Sequence, residues 1–358
     1  MRDHPRMAIR GWTAIPIALI GLLLVALPVA ALTDTGLERD VRRSLGLETG
    51  ICEPMTNESS AWATGPSLPY DLDEPRGVTI GRFVYLVGGI NGLEEAANGQ
   101  LLLEPSDQVT RFDPRTGRYE SRAPLPRPLS HMGVFAYEGD LYAIGGYGRR
   151  FDSDLSDEFF RYSPREDAWS RMPDLPEPRG AMAVGVVGDR LVVAGGALGL
   201  IAKPDAFSFD FRTRMWSRLP DMPSRREHVG QAVVGDKLFV LGGRSGEDFA
   251  SDITEAYDVS ERHWERLPRM PQETGGLIGL AVDGDVIAVG GGNDMAGTVT
   301  GAVQRWDPEK RRWTLLSGMR TPRHGHAATA ADGKLWVFGG SPCAYFNSTD
   351  SVEWLPLK

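Results

Sequence analysis

The sequence predicts an all-β protein folded as a six-bladed β-propeller, and two repeated patterns carry this prediction. The first pattern is a short apolar run that ends in a pair of glycines and occurs six times. The first glycines of the six pairs are Gly88, Gly145, Gly195, Gly242, Gly290 and Gly339. Successive steps are therefore 57, 50, 47, 48 and 49 residues, a period typical of propeller blades. Six pairs predict six blades.

The second pattern places two aromatic residues seven positions apart after each of the first five glycine pairs. These residues are Phe112 and Tyr119, Tyr162 and Trp169, Phe209 and Trp216, Tyr257 and Trp264, and Trp306 and Trp313. Short turns such as "EGDL", "VGDK" and "DGKL" precede the glycine pairs and are suited to tight hairpins. Each blade is therefore predicted to contain four antiparallel strands, with the repeated Trp between neighbouring blades.

The two ends of the chain each carry part of a repeat, which predicts how the ring closes. Trp62 with Leu68-Pro69 reads as an outer strand without the strand that should precede it. At the other end, "VEWLPLK" matches "VQRWDPEK" of the fifth repeat and provides a third strand with nothing after it. We therefore predict that an N-terminal strand near Trp62 completes the sixth blade.

These glycine pairs, spaced aromatic residues and Pro-Arg elements resemble the kelch repeat, over about residues 56 to 358. The resemblance implies a kelch-type β-propeller. It implies little about activity, because kelch domains include both enzymes and binding modules without catalytic function.

Charge excludes one class of partner. The chain has 358 residues and a formal net charge of −9, and the Lys and Arg of its turns are mixed with acidic residues. A nucleic-acid partner is therefore not expected, because such binding depends on a basic surface.

The N-terminal segment has the pattern of an export signal. Arg2, Arg6 and Arg10 precede 22 residues without a charge, which end at Leu32. Residues 1–32 are predicted to be either a signal peptide cleaved after Ala31 or an uncleaved membrane anchor, and residues 33–55 a linker or short helix. Either alternative places the propeller, residues 56–358, outside the cytoplasm, with a membrane tether in the second case.

The two cysteines, Cys52 and Cys343, both fall in the predicted sixth blade. In an oxidising compartment a disulfide between them is expected, and two separate buried thiols are the alternative.

The loops that join consecutive blades share one rim with the loops that follow the glycine pairs, so this rim is the predicted binding face. Guanidinium groups there could bind a carboxylate, an anionic glycan or an acidic peptide. The candidate ligand-binding residues are Arg127, His131, Arg179, Arg225, Arg226, His228, Arg323, His324 and His326. Arg179, Arg226 and Arg323 each precede a glycine pair by sixteen residues. The kelch resemblance implies a structural alternative for these three, in which they tie blades together.

Catalytic motifs are absent: the sequence has no phosphate-binding loop, metal-binding cysteine cluster or nucleophile elbow. No catalytic residue, cofactor or metal ion is predicted. The favoured function is an exported module that binds a protein or glycan ligand. The kelch resemblance also leaves open a carbohydrate-active enzyme of the sialic-acid epimerase type, for which Glu227 and Glu273 lie beside the joining loops.

Overall fold

The computed structural model describes residues 60–95, 101–246, 248–293, 295–343 and 346–357. All thirty regular elements of these ranges are β-strands, and six four-stranded antiparallel sheets form the blades of a propeller. The predicted fold class is confirmed. The predicted leader and linker lie outside the described residues, as does Cys52, so the disulfide with the buried Cys343 stays a prediction. Among the described residues, no helix is long and apolar enough to cross a membrane.

The strands follow the repeat closely. β1 is Ala63–Thr64. Blade 1 contains β2 (Arg76–Ile80), β3 (Phe83–Val87), the hairpin β4 (Ile90–Glu95) and β5 (Leu101–Pro105), β6 (Val109–Asp113) and β7 (Arg118–Ser121). Blade 2 contains β8 (Gly133–Tyr137), β9 (Asp140–Ile144), β10 (Phe159–Ser163) and β11 (Ala168–Arg171). Blade 3 contains β12 (Ala183–Val187), β13 (Arg190–Ala194), the hairpin β14 (Ala197–Leu198) and β15 (Ile201–Ala202), β16 (Ala206–Asp210) and β17 (Met215–Leu219).

The second half of the ring repeats the arrangement. Blade 4 contains β18 (Gly230–Val234), β19 (Lys237–Leu241), β20 (Thr254–Asp258) and β21 (His263–Leu267). Blade 5 contains β22 (Ile278–Val282), β23 (Asp285–Val289), the hairpin β24 (Gly292–Asn293) and β25 (Thr298–Val299), β26 (Val303–Asp307) and β27 (Arg312–Leu315). Blade 6 contains β28 (Ala327–Ala331), β29 (Lys334–Phe338) and β30 (Val352–Pro356). The sequence did not indicate the three small hairpins after the glycine pairs of blades 1, 3 and 5.

Blade 6 is completed by β1, as predicted. Ala63 pairs with Trp354 and Thr64 with Glu353, so β1 is the outermost strand of that sheet. The indole of Trp62 is buried and its Nε1 donates to the backbone oxygen of Ser317, 2.9 Å away in blade 5. The last blade is therefore built from both ends of the described chain.

The hydrophobic core of the described chain is divided into six clusters, one between each pair of adjacent blades. An aromatic residue of each outer strand also donates a hydrogen bond to the backbone of the preceding blade. These outer-ring bonds run from Trp62 to Ser317, Tyr119 to Pro66, Trp169 to Ala123, Trp216 to Pro173, Trp264 to Pro220 and Trp313 to Pro268. The predicted position of the repeated Trp between blades is confirmed.

The glycine pairs lie where the second strand of a blade reaches its neighbour. Gly145, for example, has a φ of +64°, and a Cβ there would clash with the backbone oxygen of Arg179, in the loop that leads into blade 3. Only glycine combines this backbone conformation with so close an approach, which explains why the pair recurs in every blade.

Candidate site at the propeller axis

The joining loops and the loops after the glycine pairs meet on one face, as predicted, because a β-bridge links them in every blade. The bridges pair Asp73 with Ile90, Ser130 with Tyr147, Gly180 with Ala197, Glu227 with Arg244, Gly275 with Gly292, and His324 with Ser341. We call this surface the axial face.

The residue after the first member of each bridge has a left-handed backbone, with φ between +49° and +64°. These six residues, which we call the axial ring, are Glu74, His131, Ala181, His228, Gly276 and Gly325. Five backbone hydrogen bonds of 2.6–3.2 Å run around the axial ring, each from the amide of one blade to the carbonyl of the blade before it: Glu74 to Gly325, Ala181 to His131, His228 to Ala181, Gly276 to His228 and Gly325 to Gly276. The ring therefore encircles the propeller axis.

Three of the six ring positions carry polar side chains, and these converge. Glu74, His131 and His228 come from blades 1, 2 and 4, and each has one potential ligand atom within 4.8 Å of the other two. His131 Nε2 lies 3.6 Å from Glu74 Oε2. The two imidazole rings lie edge to face with their centroids 4.7 Å apart. The remaining ring positions are Ala or Gly, so small residues leave the axial space to these three side chains.

Neighbouring side chains orient the two histidines. His131 Nδ1 lies 3.0 Å from Ser130 Oγ, and His228 Nδ1 contacts the carboxylate of Glu227. Both Nδ1 atoms are thus engaged by the residue that precedes the histidine. The Nε2 atoms are left for contacts across the axis.

Burial and charge set the protonation of the site. Burial raises the pKa of Glu74, but the attraction of His131, Arg76 and His228 outweighs it and holds the pKa below its ordinary value. The pKa of Asp73 is raised well above its usual range by burial and by the charge of Glu74. Burial lowers the pKa of His131 well below its usual range, despite the attraction of Glu74. The ionisation of Glu74 and that of His131 are therefore linked, because the charge on each side chain favours the charge on the other.

The three arginines that precede their glycine pairs by sixteen residues were predicted to bind ligand, but they do not face the axial site. Arg179, Arg226 and Arg323 are fully buried, and each donates to the carbonyl of the first glycine of the pair in its blade, at Gly195, Gly242 and Gly339 respectively. In blades 4 and 6 the guanidinium also pairs with a buried carboxylate, Glu255 at 2.9 Å and Glu353 at 2.8 Å. Arg179 pairs with Glu177, whose side chain is 34% exposed, and lies 3.6 Å from Asp205. These contacts support the structural alternative.

The other predicted residues are dispersed. Arg127 pairs with Asp154 and Glu158, and Arg225 is exposed. His324 is buried at the bridge of blade 6. Of the nine residues predicted from the sequence, His131 and His228 are the two whose ligand atoms converge.

His326 is a core residue of the interface between blades 5 and 6. It stands thirteen residues before its glycine pair, the position of Met132 in blade 2 and Met182 in blade 3. Its side chain is fully buried, and neither ring nitrogen has a hydrogen-bond partner among the described residues. Burial lowers its pKa to about 3. His326 therefore fills space that methionine fills elsewhere.

Sequence reasoning missed Glu74 and Ser130. The signal for Glu74 was present, since every axial-ring residue stands fourteen positions before the first glycine of its pair. That register becomes meaningful only when the left-handed backbone at this position is known.

Comparison with known proteins agrees with the repeat. The family model described as "KLHDC2/KLHL20/DRC7 Kelch-repeats domain" matches residues 131–340, more than half of the chain. The chain belongs to the kelch-repeat family. It is 27% identical over 161 residues to Kelch-like protein terF of Aspergillus terreus, which covers 40% of this chain and 33% of that protein. It is 31% identical over 122 residues to Kelch-like protein 35 of Mus musculus, which covers 34% of this chain and 19% of that protein.

These kelch matches span a third or less of the relatives' lengths. Among solved structures, that of YjhT superposes with a TM-score of 0.65 at 17% sequence identity, over 81% of this chain and 96% of YjhT. That similarity concerns the fold of this kelch propeller.

Proposed function

We propose that this kelch propeller is an exported recognition module that binds a protein partner on its axial face. The observation that carries the proposal is a set of exposed apolar side chains on two hairpins of the axial face, in blades 3 and 5. Leu200 and Ile201 lie at the tip of the β14–β15 hairpin and are 46% and 67% exposed, and Met295, 57% exposed, lies in the turn between β24 and β25. Apolar side chains exposed next to polar groups are a feature of protein interaction sites.

The chemistry of the axial face supports a partner with both apolar and charged groups. His131 lies edge to face with Tyr147 and Phe151, each at 5.4 Å between ring centroids, so aromatic surface adjoins the ring. Arg76 adds a cation beside Glu74, 3.5 Å from its Oε2. Kelch-repeat domains in general bind protein partners, which supports the same class of ligand here. Export rests on the arginine-flanked apolar run of residues 1–32.

The test is a peptide and glycan array probed with the purified chain, followed by affinity measurements on the hits. Replacing Leu200 and Ile201 with Ser should weaken binding of a protein ligand at least about tenfold, because buried apolar anchors dominate such interfaces. Leu315→Ser is the matched control, since Leu315 is 55% exposed but lies on the outer strand β27. Equal affinity for the rim variant and the control, or hits that are glycans alone, would reject the proposal.

A sugar-processing enzyme of the sialic-acid epimerase type is the second candidate, and one contact favours it. Burial raises the pKa of the partly buried Glu227 carboxylate, but His228, which it contacts, and Arg244 hold that pKa below its usual value. Such a carboxylate–imidazole pair can transfer protons. Glu273, the other carboxylate considered, is exposed.

Nuclear magnetic resonance of sialic acid or galactose with catalytic amounts of the protein tests this candidate. A recognition module leaves the rate of anomer exchange unchanged. Accelerated exchange that is lost in Glu227→Gln would instead favour the enzyme.

A further inference from the structure

The three polar side chains of the axial ring form the ligand set of a metal site. Glu74, His131 and His228 offer one carboxylate oxygen and two imidazole nitrogens, mutually within 4.8 Å. Two His and one carboxylate with open positions form the ligand set of many zinc and non-haem iron sites. We propose that this triad binds one divalent transition-metal ion of the imidazole-preferring class, Zn²⁺ or Fe²⁺ among them. The proposal concerns these side chains alone and holds whatever the rim binds.

The orientation of the histidines supports ligation through Nε2. In metal sites, the imidazole nitrogen that does not bind the ion is usually held by a carboxylate, a carbonyl or another polar group. Here Ser130 Oγ is 3.0 Å from Nδ1 of His131, and the carboxylate of Glu227 contacts Nδ1 of His228. The same arrangement occurs twice, on blades 2 and 4. Both imidazoles are thus positioned before any ion arrives.

The spacing is close to what an ion requires. Two ligands of a tetrahedral ion with bonds of about 2.1 Å lie roughly 3.4 Å apart. His131 Nε2 and Glu74 Oε2 are 3.6 Å apart. Small side-chain rotations would close the remaining distances to His228. Arg76 Nη1, a cation that would compete for Glu74 Oε2, lies 3.5 Å from it, a long and therefore weak ion pair.

The small members of the axial ring keep room for this cluster. Gly325 has a φ of +59°, and a Cβ there would lie 2.8 Å from Glu74 Oε1 and closer still to the carboxylate of Asp73. A Cβ on Gly276 would lie 3.3 Å from Arg244 Nη2. Any larger residue at position 325 would displace the carboxylate that the triad needs.

Titration of the chelator-stripped full chain with Zn²⁺ by calorimetry, and with Co²⁺ by visible absorption, tests the proposal. We expect one ion per chain. Glu74→Gln, His131→Asn and His228→Asn should each weaken Zn²⁺ binding by more than about 100-fold, because each removes a ligand. Asparagine is chosen because it tolerates the left-handed backbone at both histidine positions. Glu227→Gln should weaken binding about 10- to 100-fold while the Co²⁺ spectrum keeps its shape, as expected of a positioning residue.

The matched control is His263→Asn, because His263 is an exposed histidine on the outer strand β21 and should leave binding unchanged. If a ligand variant does not fold, X-ray absorption of the Zn²⁺-loaded wild-type protein replaces it and should show two imidazoles at about 2.0–2.1 Å. The proposal is overturned if the wild-type protein binds no stoichiometric ion, if His131→Asn and His228→Asn retain binding, or if the absorption data show no imidazole.

Discussion

The buried Arg226–Glu255 pair of blade 4 can be replaced by its natural counterpart from blade 5, and this exchange tests whether the arginines are structural. Arg226 Nη2 lies 2.9 Å from Glu255 Oε2, and both side chains are buried. The equivalent residues of blade 5 are Thr274, whose Oγ1 donates to Gly290 O at 3.1 Å, and Gln304, which bonds the backbone of the joining loop. The equivalent positions therefore hold a charged pair in blade 4 and an uncharged pair in blade 5.

Arg226→Thr alone should destabilise the protein by about 3–5 kcal/mol, because it leaves Glu255 buried without its main partner. Arg266 also approaches Glu255, at 3.4 Å, but it is largely exposed and compensates little. In the double variant Arg226→Thr/Glu255→Gln, no buried charge is left uncompensated. Its cost should fall to about 1–2 kcal/mol, below the sum of the costs of the two single changes.

The assay is equilibrium urea unfolding of the wild-type protein, both single variants and the double variant, followed by tryptophan fluorescence and circular dichroism together. Coincident transitions are needed for free energies to be compared. The reasoning is refuted if Arg226→Thr costs less than about 1 kcal/mol, or if the double variant costs the sum of the two single changes. A ligand-binding role for Arg226 would predict the first of these results.

Three further changes test other parts of the fold. His326→Met should reduce by about 2 kcal/mol the stability that the wild-type protein loses between pH 7 and pH 5. The folded pKa of about 3 lies below the unfolded value of about 6.5, so the unfolded state binds the extra proton and acid favours unfolding. Identical pH dependence of the urea midpoints would contradict this.

Trp62→Ala should cost about 3–5 kcal/mol, because it removes a buried indole and the bond that closes the outer ring onto blade 5. A loss below about 1 kcal/mol in thermal unfolding would mean that closure does not depend on it. Gly325→Ala should destabilise the protein by more than Gly333→Ala, since both have positive φ but nothing lies within 4 Å of a Cβ at Gly333. Equal melting temperatures of the two variants would show that the Asp73 and Glu74 carboxylates can move away from a Cβ at position 325 without loss of stability.

The fold could be predicted from the sequence because each blade repeats the same physical problem. A glycine pair is required wherever a second strand meets the neighbouring blade, and a large aromatic residue wherever an outer strand covers the neighbouring blade. The period of these residues therefore reveals the architecture. Ring closure followed from two incomplete repeats, Trp62 at one end and Trp354 at the other, and is confirmed by their strands pairing. The three small hairpins after the glycine pairs of blades 1, 3 and 5 do not need a particular residue type, so the sequence shows no repeated pattern for them.

The axial site could be predicted only in part. A joining-loop arginine can face solvent or turn back beneath its glycine pair, and the sequence is the same in both cases. Which of the two orientations occurs depends on Glu255 and Glu353, buried partners from a strand that is distant in the sequence. Likewise, the convergence of Glu74 with His131 depends on the left-handed backbone that turns each side chain toward the axis.

The direction of β1 determines on which side of the propeller the described chain begins. First strands leave the axial face and strands alternate in direction, so a fourth strand begins on the opposite side. Since β1 is the fourth strand of blade 6, Ala63 lies at the perimeter, on the side of the propeller opposite the axial face. A partner bound on the axial face would therefore leave the start of the described chain uncovered.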